Sequence, residues 1–192
     1  MERRQHKNAR LLGKQLSTEA PGSVIERLIG FEREADVAGL SRYPHTTPTV
    51  FEEIASRTED PGAWLKAAEC VVERKFASYF RPFCESLVVK RAPTWEESVR
   101  QLLTSENLNH IMALSCLRNE VPDELLEAAA SYAGDIYRSV LNFETRFFTS
   151  KAKLLLLGAE DVGIRGAVVE GQARKGLTAL AKKKKMQSWK LL

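Results

Sequence analysis

Apolar residues recur at helical spacing along most of the chain, and the pattern is strongest over residues 105–148. Ser105 can cap a first helix, in which Leu108, Ile111, Met112, Ser115 and Leu117 fall at helical intervals. Val121, Pro122 and Asp123 interrupt it. Beyond them Leu125, Ala129, Tyr132, Ile136, Val140, Phe143 and Phe147 return every three or four residues, which predicts one long helix of about six turns with a single apolar face. This is a packing signal, and no catalytic motif accompanies it.

The remaining elements follow from start and stop signals. Ser23 and Glu26 form a capping box after Pro21-Gly22, predicting a helix with Val24, Leu28, Ile29 and Phe31 on one side and an end near Gly39. Residues 41–48 read as a loop, and a short helix follows Pro48 with Phe51 and Ile54 as its apolar side. Asp60-Pro61 is an N-cap with proline at the first helical position. From there Trp64, Ala68, Val71, Val72, Phe76, Tyr79 and Phe80 predict a second long helix, which Pro82 should end or kink. Pro93-Thr94 with Glu97 opens a further short helix, and Gly158 stops the stretch that begins at Lys151. Only residues 86–90 have any β-like content. The expected fold is therefore all-α, an irregular helical bundle or short helical-repeat stack of about seven helices with basic terminal extensions. Trp64, Val72, Phe76, Leu114, Leu125, Tyr132, Ile136 and Val140 are the expected core. The expected segments are 1–20, a basic arm or transit segment; 21–157, a helical domain; and 158–192, a glycine-containing stretch with a basic tail.

Charge sharpens this picture. The net charge of +4 conceals an acidic body between two basic ends. Residues 1–20 carry five Lys/Arg against two Glu, and residues 171–192 carry seven Lys/Arg and no acid. Basic tails on a folded body reach for polyanions, although a lysine-rich terminus can also serve solubility alone. Arg174, Lys175, Lys182, Lys183, Lys184, Lys185 and Lys190 are the candidate RNA-contacting residues, with Trp189 as a candidate stacking partner. Apolar runs such as 154–157 fall far short of the ~20 residues of a membrane span, and none is expected.

Site chemistry is sparse. Cys70, Cys84 and Cys116 are odd in number, contain no Cys-x-x-Cys pair and fall among apolar neighbours, so buried free thiols are expected. Glu106 and His110 share a helical face without a second ligand pair, which reads as a capping glutamate beside an exposed histidine. The aromatic cluster Phe76, Tyr79, Phe80 and Phe83 interleaves with Arg74, Lys75 and Arg81, a pattern that suits core better than base stacking. The glycines at 158, 163, 166, 171 and 176 match no phosphate-binding loop, and they weaken the case for helix there. No catalytic residue, metal, cofactor or small-molecule substrate is expected, and the chain is expected not to be an enzyme.

Two resemblances add to this. Residues 103–133, LTSENLNHIMALSCLRNEVPDELLEAAASYA, resemble one helix-turn-helix unit of the octotricopeptide and FAST-kinase-like repeat families of organelle RNA metabolism. That unit spans about a sixth of the chain. It implies binding to organellar RNA or a place in a mitochondrial ribosome. Residues 1–20 resemble a mitochondrial presequence, the competing reading being a basic arm lying against RNA. Together they imply a non-catalytic structural subunit of a large assembly in the mitochondrial matrix. A mitochondrial ribosomal protein contacting rRNA and neighbouring subunits is the first expectation. An accessory subunit of a respiratory complex or ATP synthase is the alternative, and a small α-helical enzyme without a recognisable motif is the third.

Overall fold

The computed structural model describes residues 2–39, 46–71, 76–90, 93–136 and 144–188, with side chains over 4–39, 46–71, 76–90, 95–132 and 144–177. Among them are ten α-helices, one 3-10 turn and no strand. The all-α class stands. The count exceeds the expected seven because both expected terminal extensions contain a helix, Glu2–Leu16 and Val162–Ser188, and because the long helix expected from Trp64 to Phe80 is interrupted, which apolar spacing alone does not register. The chain divides into two compact units, Met1–Cys116 and Leu117–Leu192.

The first unit begins with α1 (Glu2–Leu16), α2 (Pro21–Val37), α3 (Thr46–Arg57) and α4 (Pro61–Glu69). It continues through α5 (Phe76–Lys90), α6 (Pro93–Leu103) and α7 (Asn109–Arg118), inside which the division falls. Helix α3 packs against both α1 and α5, α2 packs against α4, and α4 and α5 both meet α6. Aromatic rings fill the centre. Phe80 lies 5.2 Å from Phe51 edge-on and 4.7 Å from Phe83 in a stack, and Trp64 closes the cluster 6.0 Å from Phe83. The aromatic stripe is core.

Local signals explain most of the helix ends. The Asp60 carboxylate accepts from the Ala63 N–H at 3.0 Å and Pro61 takes the first turn, as the sequence predicts. Helix α2 starts at Pro21 and not at the Ser23 capping box, with Ala20 as an N-cap that has no side-chain bond. Proline at the first position already has the required φ and lacks an N–H that would need a partner, so the helix nucleates two residues earlier. It ends at Val37, and two residues on the chain turns away at Gly39, whose φ of 69° is left-handed backbone that glycine adopts without a Cβ penalty. Pro82 neither ends nor splits α5, which runs on to Lys90. Phe80, Phe83, Cys84 and Leu87, all fully buried around it, offset a cost of about 3 kcal/mol for an interior proline. The expected helix over residues 64–80 stops at Glu69 and restarts at Phe76, with the β-branched Val71 at the break.

The second unit contains α8 (Asp123–Ile136), a 3-10 turn (Thr145–Phe147), α9 (Ser150–Leu157) and α10 (Val162–Ser188). Of the expected single helix from Leu125 to Phe147, α8 covers the part to Ile136 and the last residues form the 3-10 turn, while residues 137–143 lie outside the described set. Thr149 caps α9 by accepting from the Ala152 N–H at 3.1 Å, and its own N–H donates to the Leu117 carbonyl at 3.0 Å. Helix α9 packs against α8 and α10, and α10 also rests on the 3-10 turn.

Of the expected core, Trp64, Phe76 and Leu125 are buried, whereas Leu114 and Tyr132 are only half-buried. The side chains of Val72, Ile136 and Val140 lie outside the described residues.

Candidate polyanion-binding surface

Helix α10 runs unbroken through Gly163, Gly166, Gly171 and Gly176, against the expectation that these glycines weaken it. One of them has a specific cause. A Cβ on Gly171 would overlap the Thr145 hydroxyl, so the helix crosses the 3-10 turn at the only residue type that fits. Thr145 is itself buried, and its hydroxyl donates to the Ala167 carbonyl at 3.2 Å. Asp161 caps the start of the helix, its carboxylate accepting from the Gly163 N–H at 2.6 Å.

The first half of α10 buries Ile164, Ala167, Val168 and Gly171 on one stripe. From residue 172 to 177 every side chain is exposed. The backbone register carries the stripe onward: Lys182 repeats the angular position of Ile164 and Lys185 that of Ala167, each five turns later at about 3.6 residues per turn. Lys175 follows Val168 by two turns in the same way. The helix thus passes from an apolar stripe to a run of four consecutive lysine positions, which at about 100° per residue spread over most of its circumference, within roughly 25 Å beyond Gly171 at 1.5 Å per residue.

Charge in this half is only partly compensated. Arg174 Nε donates to Glu170 Oε1 at 3.1 Å, one turn back. Glu170 is the last carboxylate side chain in the sequence. Lys153, on α9, has its pKa lowered by partial burial and, secondarily, by the positive charge of Lys175. The two ammonium groups therefore face a common region of the second unit. Of the seven cations expected to contact RNA, Arg174 and Lys175 are placed with their side chains. Lys182, Lys183, Lys184 and Lys185 are placed by helical backbone alone, and Lys190 lies outside the described residues with Trp189.

Other candidate chemistry fares differently. His110 is half-buried, not exposed, and burial lowers its pKa. Among the described residues no group of three or more His, Cys, Asp and Glu could hold a metal, and no helix is long and apolar enough to cross a membrane. Cys84 and Cys116 are buried free thiols, with the Cys116 pKa pushed up to about 12 by burial and that of Cys84 also raised. Cys70 departs from expectation. It is exposed just past the last residue of α4, where its Sγ–H reaches the Lys66 carbonyl at 3.6 Å.

The docking of the basic N-terminal segment escaped sequence reasoning. Helix α1, read as a basic arm or transit segment, packs on α3 through Ala9, Gly13 and Leu16, and beside that contact its cations line a groove. The recurrence of His6, Arg10 and Lys14 every four residues, flanked by Ala9, Gly13 and Leu16, was the available signal. No protein-family model matches the chain, and neither does any curated protein or solved structure.

Proposed function

We propose that this chain is a non-catalytic structural subunit of a large mitochondrial assembly, a ribosomal protein of the matrix that meets rRNA through its basic C-terminal helix and tail. The observation that supports it is helix α10, which buries Ile164, Ala167 and Val168 in its first half and carries Arg174, Lys175 and Lys182–Lys185 in its second. Its apolar half packs within the second unit. Its cationic half belongs to a stretch of 22 residues with seven Lys/Arg and no carboxylate side chain, so counter-charge has to come from elsewhere. RNA phosphates supply it at high density, and neighbouring subunits would complete the seat. No cofactor and no small-molecule substrate enter this reading.

The test compares the full chain with one ending at Leu180, which lacks Lys182–Lys185 and Lys190. The shorter chain should enter ribosomal particles poorly. Its affinity for single-stranded RNA should also depend less on salt, the log–log slope falling in magnitude by up to roughly 3.5 at 0.7 per phosphate. Equal incorporation with unchanged salt sensitivity would favour an accessory subunit of a respiratory complex or ATP synthase. The exposed Val162, Val169 and Leu177 on α10 would then face protein.

A further inference from the structure

Helices α1 and α3 border a groove of about 530 Å³. Lys7, Arg10, Lys14 and Arg57 line it with His6 and a single carboxylate, Glu53. Glu53 forms an ion pair with Arg57 one turn along α3, which leaves the three α1 cations without a carboxylate in the lining. Their positions are fixed by packing. A Cβ on Gly13 would stand 2.7 Å from Glu53 Cβ and 2.8 Å from the Val50 carbonyl oxygen, so the α1 backbone lies directly on α3. His6 is tied to the same helix through Nδ1 and the Thr49 hydroxyl, 3.3 Å apart.

We infer that this groove is a second RNA-binding surface, pre-built in the first unit, which seats the phosphodiester backbone of a single strand along α1. Lys7, Arg10 and Lys14 stand about one turn apart, so the row advances by roughly 5 Å per cation and spans about 10 Å. A linear row of this kind matches a chain of phosphates better than one compact anion, which would want converging backbone N–H groups at a glycine-rich turn. The lining holds no Phe, Tyr or Trp, so it grips backbone and leaves the bases unread. A lipid surface would need a continuous apolar face free to enter it; Ala9 and Leu16 are buried, and the exposed Leu11 and Leu12 are two adjacent residues set among cations. Because α1 is already docked, binding orders no segment of backbone. The inference rests on RNA being the partner, as proposed above, but not on the C-terminal helix.

The experiment measures binding of a short fluorescent oligouridylate to the full chain across a salt series. It compares the parent with two variants, Lys7→Gln/Arg10→Gln/Lys14→Gln and Lys182→Gln/Lys183→Gln/Lys184→Gln/Lys185→Gln. The groove variant should lower the magnitude of the log–log salt slope by roughly 2, at 0.7 per phosphate, with an unchanged circular dichroism spectrum. Should the triple variant unfold, Arg10→Gln alone should lower it by roughly 0.7, and Arg10→Lys should restore it. A parental slope in the groove variant with a reduced one in the tail variant overturns the groove and leaves the C-terminal reading standing. The reverse result supports the groove and removes the tail. Competition by inorganic polyphosphate or anionic vesicles as effective as unlabelled RNA of equal charge would also overturn the RNA assignment.

Discussion

The two units are held together by different means. Among the described residues, all but one of the largest fully buried side chains lie in the first, among them Trp64, Phe51, Phe76, Phe80, Phe83, Ile25 and Met112; the exception is Leu117. The described core of the second is built from smaller groups, Ala129, Ala152, Ala167 and Val168, with Leu125, Leu126, Leu156 and Phe148. Both units bury polar groups, Ser98, Ser105 and Ser115 in the first and Thr145 and Glu144 in the second, where Thr145 bonds to α10 and Glu144 pairs with Arg118. The first is thus stabilised mainly by its large apolar side chains, with one close backbone approach at its edge, Gly13 on α3. In the second, with its smaller described core, the close approach of Gly171 to Thr145 carries more of the fit.

Substitutions can break this contrast. Phe80→Ala in the first unit should have the largest effect, about 3–5 kcal/mol, because it empties the centre of the ring cluster. Chemical denaturation followed by tryptophan fluorescence would measure it, Trp64 sitting in the same cluster. A loss below 1 kcal/mol would mean the cluster is not the keystone described. Gly171→Ala in the second unit should cost about 1–3 kcal/mol even though alanine is the better helix former, because its methyl meets Thr145. If Gly171→Ala raises the melting temperature instead, helix propensity has won and the close contact is not structural.

The smallest expected effect is one of pH. The Lys153 pKa is lowered in the folded chain by burial and by Lys175, so its ammonium form is less favourable there than in the unfolded chain. That penalty is fully present below the lowered value. It is relieved as pH rises from there toward 10.5, so stability should rise over that interval. Lys153→Met should flatten this part of the curve in thermal unfolding between neutral and alkaline pH. A parallel curve for the variant would remove Lys153 as its origin.

Much of the first unit was legible in the sequence, and less of the second. The ring stripe and the Asp60-Pro61 start are encoded within one helix, so local spacing suffices to find them. Gly171 and Gly13 owe their identity to residues 26 and 40 positions away, Thr145 and Glu53, and no local pattern states such a contact. The same holds for the α1 groove. Its cations are plain in the sequence, but their docking on α3 is a tertiary fact. Cys70 was misplaced because its apolar neighbours suggested burial, while it falls one residue past the end of α4.

The contact between Gly171 and Thr145 also sets a phase. Sliding α10 along its axis by one turn would bring Ala167 or Lys175 over the Thr145 hydroxyl, and any side chain there collides. The helix is therefore indexed to the rest of its unit at a single residue, and every later position inherits an angle from it. One residue inserted between Gly171 and Lys182 would turn each later residue by about 100°, whereas eleven would return each close to its register. The bearing of the basic end is in this sense counted off in residues from one missing methyl group.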